Sequence, residues 1–162
     1  MDATYRRKVH IYQRRFPDSD VPRHRTSFGS AARPSGGPFW RNKDDGAWSI
    51  PKGEIAGEDP ESVARREFME ELGSAPAGPL RLLGEIRQRG GKRVHSFALQ
   101  GDLDVSTVVS NTFEMEWPPK SGRTRTFPEV DRAEWFALPV ACMKILEGQR
   151  ALLDRLEELI RR

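Results

Sequence analysis

Glu67, Glu70 and Glu71 fall at positions i, i+3 and i+4 within residues 53–73, GEIAGEDPESVARREFMEELG. On a helix, at about 100° per residue, three such side chains share an arc of roughly 100°. Like charges at this spacing repel by roughly a few tenths of a kcal/mol per pair, so the cluster calls for positive charge. Two sources would supply it. One is the chain itself: Arg65, Arg66 and nearby lysines would make the cluster a solvated acidic face. The other is a hard divalent cation such as Mg²⁺, which prefers oxygen ligands and is commonly held by a few carboxylates together with substrate phosphates. A cation so held can offset the charge of a phosphate and lower the pKa of a bound water. A neighbouring carboxylate can then take the proton of that water. The Pro-Lys-Gly turn at 51–53 adds backbone flexible enough to offer a carbonyl or an amide to the same place.

Such a cluster works only on a helix seated on a core. Asp59 is a good N-cap, Pro60 suits the first helical position and Gly73 supplies the stop, which together predict the helix. Ala64, Phe68 and Leu72 form an apolar stripe turned roughly 100° from Glu67 that would seat it. Upstream, GGPFWRNKDDGAW reads as a loop with turn formers Asp44, Asp45 and Gly46, and Trp48 to Ile50 as a short strand stopped by Pro51. Downstream, LRLLGEIRQ and KRVHSFALQGDL predict a hairpin around Arg89, Gly90 and Gly91. NTFEMEW adds a strand, PPKSGRTRTFP a loop and AEWFAL a last strand. Two helices over residues 139–146 and 150–160 close the chain. In the second, Leu152, Leu153, Leu156, Leu159 and Ile160 recur at helical spacing and read as core.

The bulk properties bound the function. The chain has 162 residues, enough for one domain with its own core. No apolar run approaches the roughly 18 residues of a membrane helix, and no secretory leader is legible. The single cysteine, Cys142, excludes an internal disulfide and points to a reducing, cytoplasmic setting. It sits in VACMKIL, where core packing is the expected role rather than catalysis. A net charge of +3 arises from 27 basic against 24 acidic residues, a near balance that does not require nucleic acid as a partner.

PKGEIAGEDPESVARREFMEELG resembles the Nudix box: a Gly, a Glu six residues on, seven more residues, then Arg-Glu-apolar-any-Glu-Glu-any-Gly-apolar. RREFMEELG matches the second half, and Glu58 lies eight residues before Arg66. The spacing from Gly53 to Glu58 is one residue shorter than usual, and Ser74 stands where an apolar residue is normal. PEVDRAEWFAL is similar to the family's late strand and helix entry, and GGPFWRNKDDGAWSIPKGE resembles an uncharacterised bacterial subgroup. The resemblance covers 37–162 and implies an α/β/α sandwich with a mixed β-sheet. It further implies hydrolysis of a phosphoanhydride bond in a nucleoside diphosphate linked to another moiety, with Mg²⁺, or Mn²⁺ in its place, as cofactor. Glu67, Glu70 and Glu71 resemble the metal-binding and catalytic glutamates. Gly53 resembles the glycine whose backbone approaches the metal, and Arg66 and Glu58 the pair that joins helix to loop. The resemblance implies a small-molecule nucleotide as substrate; WSIPKGE is similar to the matching stretch of diadenosine polyphosphate hydrolases, which favours a dinucleoside polyphosphate over a nucleoside triphosphate.

Further candidates surround that centre. Lys52 and Arg41 are placed to hold phosphate oxygens, and Trp40, Trp48 and Trp117 to stack on a base, Trp48 being the one expected in the core instead. Glu114, Glu116 and Glu129 are candidates for an extra metal contact from outside the helix. His95, on an alternating strand, reads as structural. Residues 1–36 stand apart: rich in Arg, Ser and Pro, they offer only Lys8 to Tyr12 as strand. The Nudix fold opens with apolar strands, so this segment is read as disordered with those strands missing, or as out of frame. Shifted one nucleotide, codons permitted for residues 31–36 can encode LLVHPG. The competing function is a non-catalytic nucleotide-binding or regulatory domain of the same fold.

Overall fold

The structure, a computed structural model, describes residues 7–14, 27–34, 43–87, 91, 93–101 and 103–162. Eight strands and three helices follow one another along it: β1 (Arg7–Arg14), β2 (Ser27–Pro34), β3 (Lys52–Ile55), α1 (Pro60–Leu72), β4 (Leu80–Arg87), β5 (Arg93–Gln100), β6 (Thr112–Glu116), β7 (Thr124–Pro128), β8 (Val130–Ala137), α2 (Leu138–Lys144) and α3 (Arg150–Arg161). Six strands make one sheet in the order β4-β5-β1-β2-β8, with β3 paired to β1 off this path. The β1–β5 pair is parallel and the others are antiparallel, so the sheet is mixed. β6 and β7 form a separate two-stranded sheet.

Two apolar layers flank the main sheet. Because side chains alternate along a strand, β5 serves both. Val94 and Ala98 join the layer under α2 and α3, where Leu152, Leu153 and Leu156 are buried beside Trp48 and Phe136. Phe97 and Leu99 join Val63, Ala64, Phe68 and Leu72 under α1. Burying Phe68 and Leu72, each 1% exposed, stabilises the seat of α1 by about 1.5–3 kcal/mol apiece. The helix ends where its caps dictate. Asp59 accepts a hydrogen bond from the Ser62 amide at 2.9 Å, and Gly73 takes a left-handed φ of 68°. A Cβ at Gly73 would also come within 2.7 Å of the Val109 carbonyl oxygen.

The structure departs from the sequence expectations in four places. Among the described residues, Trp48 to Ile50 joins no ladder; Trp48 makes an isolated parallel bridge to Ile145, through backbone bonds to Lys144 and Leu146. Thr124–Pro128, expected as loop, is β7, held by long-range pairing that its Thr- and Arg-rich composition does not announce. β8 begins at Val130, three residues before AEWFAL. The segment set apart at the start supplies two strands, β1 around the expected KVHIY and β2 where no strand signal was legible. Their register comes from backbone bonds to β5 and β8.

A buried clamp ties the segment before α1 to α3. Gln149, 1% exposed, accepts from the Ile50 amide at 3.3 Å and donates to Ser49 Oγ at 3.1 Å. A buried amide left without an acceptor costs about 1–3 kcal/mol. Gln149→Leu is therefore expected to lower the melting temperature by several degrees, at roughly 2–4 °C per kcal/mol. A thermal melt indistinguishable from that of the parent would contradict this role.

Candidate active site

β3 lies beneath α1, with Gly53 opposite Val9 of β1. A Cβ at Gly53 would overlap the carboxyl group of Glu67, so only glycine lets this carboxylate descend onto the strand backbone. One residue earlier, the Lys52 amide donates to Glu71 Oε2 at 3.3 Å, and Lys52 Nζ lies 3.8 Å from Oε1. Glu71 is 5% exposed, an unusual state for a carboxylate. Burial pushes its carboxyl up to about 7; Lys52 opposes that shift, while the charges of Glu129 and Glu67 add to it. The Glu67 carboxyl is raised too, by burial first and then by Glu70, with Glu129 contributing and Arg66 opposing. Glu129 thus stands close enough to act on both.

Arg66 bridges the helix and the loop before it. Its Nη2 lies 3.6 Å from Glu58 Oε2 and 3.2 Å from Glu67 Oε1. Glu70 is half-buried, and its backbone carbonyl accepts a bond from the Asn111 amide at 3.1 Å. Asn111 in turn accepts from the Glu129 amide at 2.8 Å, so the segment bearing Glu129 is anchored on the turn that carries Glu70 and Glu71. Nothing local in the sequence announces this anchor, because it joins residues about forty positions apart. Glu129 was one of three outside candidates. Of the other two, Glu116 accepts from the Gly122 amide at 2.7 Å, and Glu114 sits exposed on β6.

The donor set fits a hard cation: it is all oxygen, and it is partly buried over a strand whose glycine leaves room. The carboxyl groups are not gathered into a cage, however. Among the described residues, no three acidic, imidazole or thiol groups stand together in that way. Glu67 turns to Arg66 and Glu71 to Lys52, and a bound cation would replace these pairings. The remaining candidates fall elsewhere. Trp48 is fully buried, edge-on to Phe136, and donates its indole N–H to Asp44 at 2.8 Å, which removes it as a base-stacking group. Trp117 is half-buried just beyond β6, its amide bonded to the Arg123 carbonyl at 2.8 Å. His95 Nε2 lies 3.2 Å from Glu85 Oε2, and Arg93 also pairs with Glu85. Arg41 and Trp40 lie outside the described residues. Cys142 packs at the edge of the α2–α3 layer, where burial raises its thiol pKa. A cavity of about 500 Å³ between α3 and β4–β5 is lined by Arg81, Leu99, Leu156 and Ile160, with none of the carboxylates among its walls.

A two-layered helical cover over a mixed sheet, with an acidic helix against a glycine-bearing strand, defines an α/β/α sandwich. The model of the NUDIX domain matches residues 31–156, and the chain belongs to that family. Against curated protein sequences it has no match. Among solved structures it is similar to the NUDIX domain of Shewanella oneidensis NrtR, solved with ADP ribose (15% identity, TM-score 0.60, 95% of this chain and 87% of that one). It is also similar to a C. elegans Ap4A hydrolase (18%, 0.57, 96% and 98%) and to a MutT protein of Methanosarcina mazei Go1 (17%, 0.58, 98% and 96%). At these identities the likeness is one of fold. No helix among the described residues is long and apolar enough to cross a membrane.

The raised carboxyl of Glu71 makes stability depend on pH. A carboxyl whose pKa is higher folded than unfolded costs the fold nothing below its unfolded value. It destabilises progressively as pH rises from about 4.5 to about 7, by on the order of 3 kcal/mol in all. In metal-free protein, Glu71→Gln is expected to be more stable than the parent at pH 8, the gap closing toward pH 4.5. Urea unfolding across that range checks it; a difference that does not change with pH would contradict it.

Proposed function

We propose that this chain hydrolyses a phosphoanhydride bond in a nucleoside diphosphate joined to a second group, a dinucleoside polyphosphate being the favoured substrate and a nucleoside triphosphate the next. Mg²⁺, replaceable by Mn²⁺, would be held by Glu67, Glu70 and Glu71 with backbone at Gly53. The observation that carries the reading is the burial of Glu71 on the same helix face as Glu67, over a glycine whose place a side chain would take from the Glu67 carboxyl, with the charge of Glu129 acting on both. Stored repulsion of this kind is wasteful in a merely structural helix and useful in one that takes up a cation.

When bound, the cation supplies charge neutralisation at the diphosphate and a water of lowered pKa. The chain does the rest. One of the three glutamates accepts the proton of the attacking water. Lys52, beside Glu71, holds a phosphate oxygen when it is released from that pairing, and Arg41 is proposed for another. Arg66 and Glu58 keep the loop that carries Gly53 against α1. Membership of the NUDIX family supports this reading, as does the fold shared with an Ap4A hydrolase and a MutT protein.

The pairing of Glu67 and Glu71 with cations of the chain favours one other reading, a nucleotide-binding domain without catalysis. Phosphate release from a nucleotide panel with Mg²⁺ and with a chelator separates the two. Turnover should need the metal, and the double variant Glu70→Gln, Glu71→Gln should lose about 100- to 10,000-fold while still melting cooperatively. Near-parent rates in that variant would end the hydrolase assignment. The proposed catalytic unit is residues 37–162. The out-of-frame reading of the stretch before it rests with the gene's nucleotide sequence, and fails if the shifted frame encodes no apolar strand.

A further inference from the structure

The last turns of α3 lie over a part of the β4–β5 pair that is poor in bulky side chains. β5 presents Val94 and Ala98 to the α3 layer, and Arg81, paired directly with Ala98, shares that face. Two residues further in along β5, Ser96 stands opposite Gly84. The floor is thus made of small residues, while the helix above continues its apolar stripe through Leu156, Leu159 and Ile160. The inner part of this mismatch is closed by the chain itself. Arg155 reaches over Gly84, its Nη1 3.0 Å from where a Cβ would lie, and donates to the carbonyls of Leu83 and Glu85 at 3.3 Å and 3.0 Å. The outer part, at Ala98 and Arg81, is left as the cavity of about 500 Å³.

The walls of this cavity combine two properties. Its apolar lining is aliphatic, with Leu156, Leu159, Ile160 and Ala98 and without an aromatic ring. Its charged lining is cationic, with Arg81 and Arg162 and without an acidic side chain. Elsewhere in the fold Arg65, Arg66, Arg93, Arg132 and Arg161 each pair with a carboxylate. Among the described residues, neither Arg81 nor Arg162 has an ion pair or a side-chain hydrogen bond. The volume falls within the roughly 300–1,000 Å³ of small-molecule sites. Two guanidiniums without partners beside an aliphatic slot select an anion with a saturated tail. A carboxylate accepts paired hydrogen bonds from arginine, and each methylene withdrawn from water favours binding.

We propose that this cavity binds a straight-chain fatty carboxylate, its head group on Arg81 and Arg162 and its chain against Leu156, Leu159 and Ile160 over Ala98. None of Glu67, Glu70 and Glu71 is among the walls, so the site is separate from theirs and the inference does not rest on the hydrolase reading. A second copy of the chain is the other occupant that an aliphatic slot would suit; the two guanidiniums without partners favour the anion.

Titration calorimetry of the full chain with octanoate, decanoate and dodecanoate, each below its micellar concentration, tests this, with decylamine as the charge-reversed control. Binding should be saturable and should tighten by about fourfold for each methylene that becomes buried, while decylamine does not bind. The double variant Arg81→Ala, Arg162→Ala should weaken decanoate binding about tenfold or more. Ala98→Leu, which grows into the cavity from its floor, should abolish binding and keep a cooperative thermal melt; if it does not fold, the arginine variant decides alone. Absence of saturable binding by all three carboxylates would overturn the proposal. So would equal binding of decylamine, or an affinity unchanged in the arginine variant. Self-association of the parent in sedimentation velocity that Ala98→Leu abolishes and decanoate leaves intact would assign the slot to a second copy instead.

Discussion

Acidic side chains on one turn of a helix can be kept apart by water or kept together by a cation, and the environment of α1 restricts the first option. Glu71 is almost fully buried, Glu67 is pressed onto the backbone of Gly53, and the segment that bears Glu129 is bonded through Asn111 to the turn of Glu70. On an exposed helix such neighbours repel by roughly a few tenths of a kcal/mol. Removing solvent weakens the screening, and burial, more than any single neighbour, raises the Glu71 carboxyl. Lys52 and Arg66 offset part of that cost, and they do so with contacts of 3.8 Å and 3.2 Å rather than a closed network. Glu71 and Glu67 are each paired with a cation of the chain, yet burial remains the largest influence on both carboxyls.

The rest of the architecture follows from keeping those carboxyls in place. α1 needs its apolar stripe on the sheet, a glycine at its C-terminal end so that the Val109 backbone can approach, and a glycine in the strand below. On the other side of the sheet, Trp48, Gln149 and α3 lock the segment that leads into β3, so that Lys52 and Gly53 arrive in register with β1. The Asn111 and Glu129 bonds then fasten the base of the β6–β7 arm to the Glu70 turn, bringing a carboxylate remote in sequence to the helix.

Much of this was legible in the residues because it is local. Asp59, Pro60 and Gly73 mark the helix by the chemistry of its ends, and Ala64, Phe68 and Leu72 mark its buried side by period. The β4–β5 hairpin and α3 are announced in the same way, by turn formers and apolar recurrence. What escaped was set by contacts distant in sequence. β7 is polar throughout most of its length and is a strand only because β6 lies beside it. β2 carries no alternating signal and takes its register from β8. Glu129 could be named as one of three acidic candidates, but only the folded chain separates it from Glu114 and Glu116. The burial of Glu71 was hidden as well, because a helical wheel places it on the acidic arc and cannot see Lys52 and β3 closing over it.

Uptake of Mg²⁺ by nucleotide-free protein tests the central claim most directly, followed by titration calorimetry in two buffers of different ionisation enthalpy. If a cation relieves a buried carboxyl held near pH 7, binding at about pH 6 will be saturable and will release protons, and the release will vanish near pH 9. Absence of saturable binding, or binding that exchanges no protons at either pH, would contradict the account.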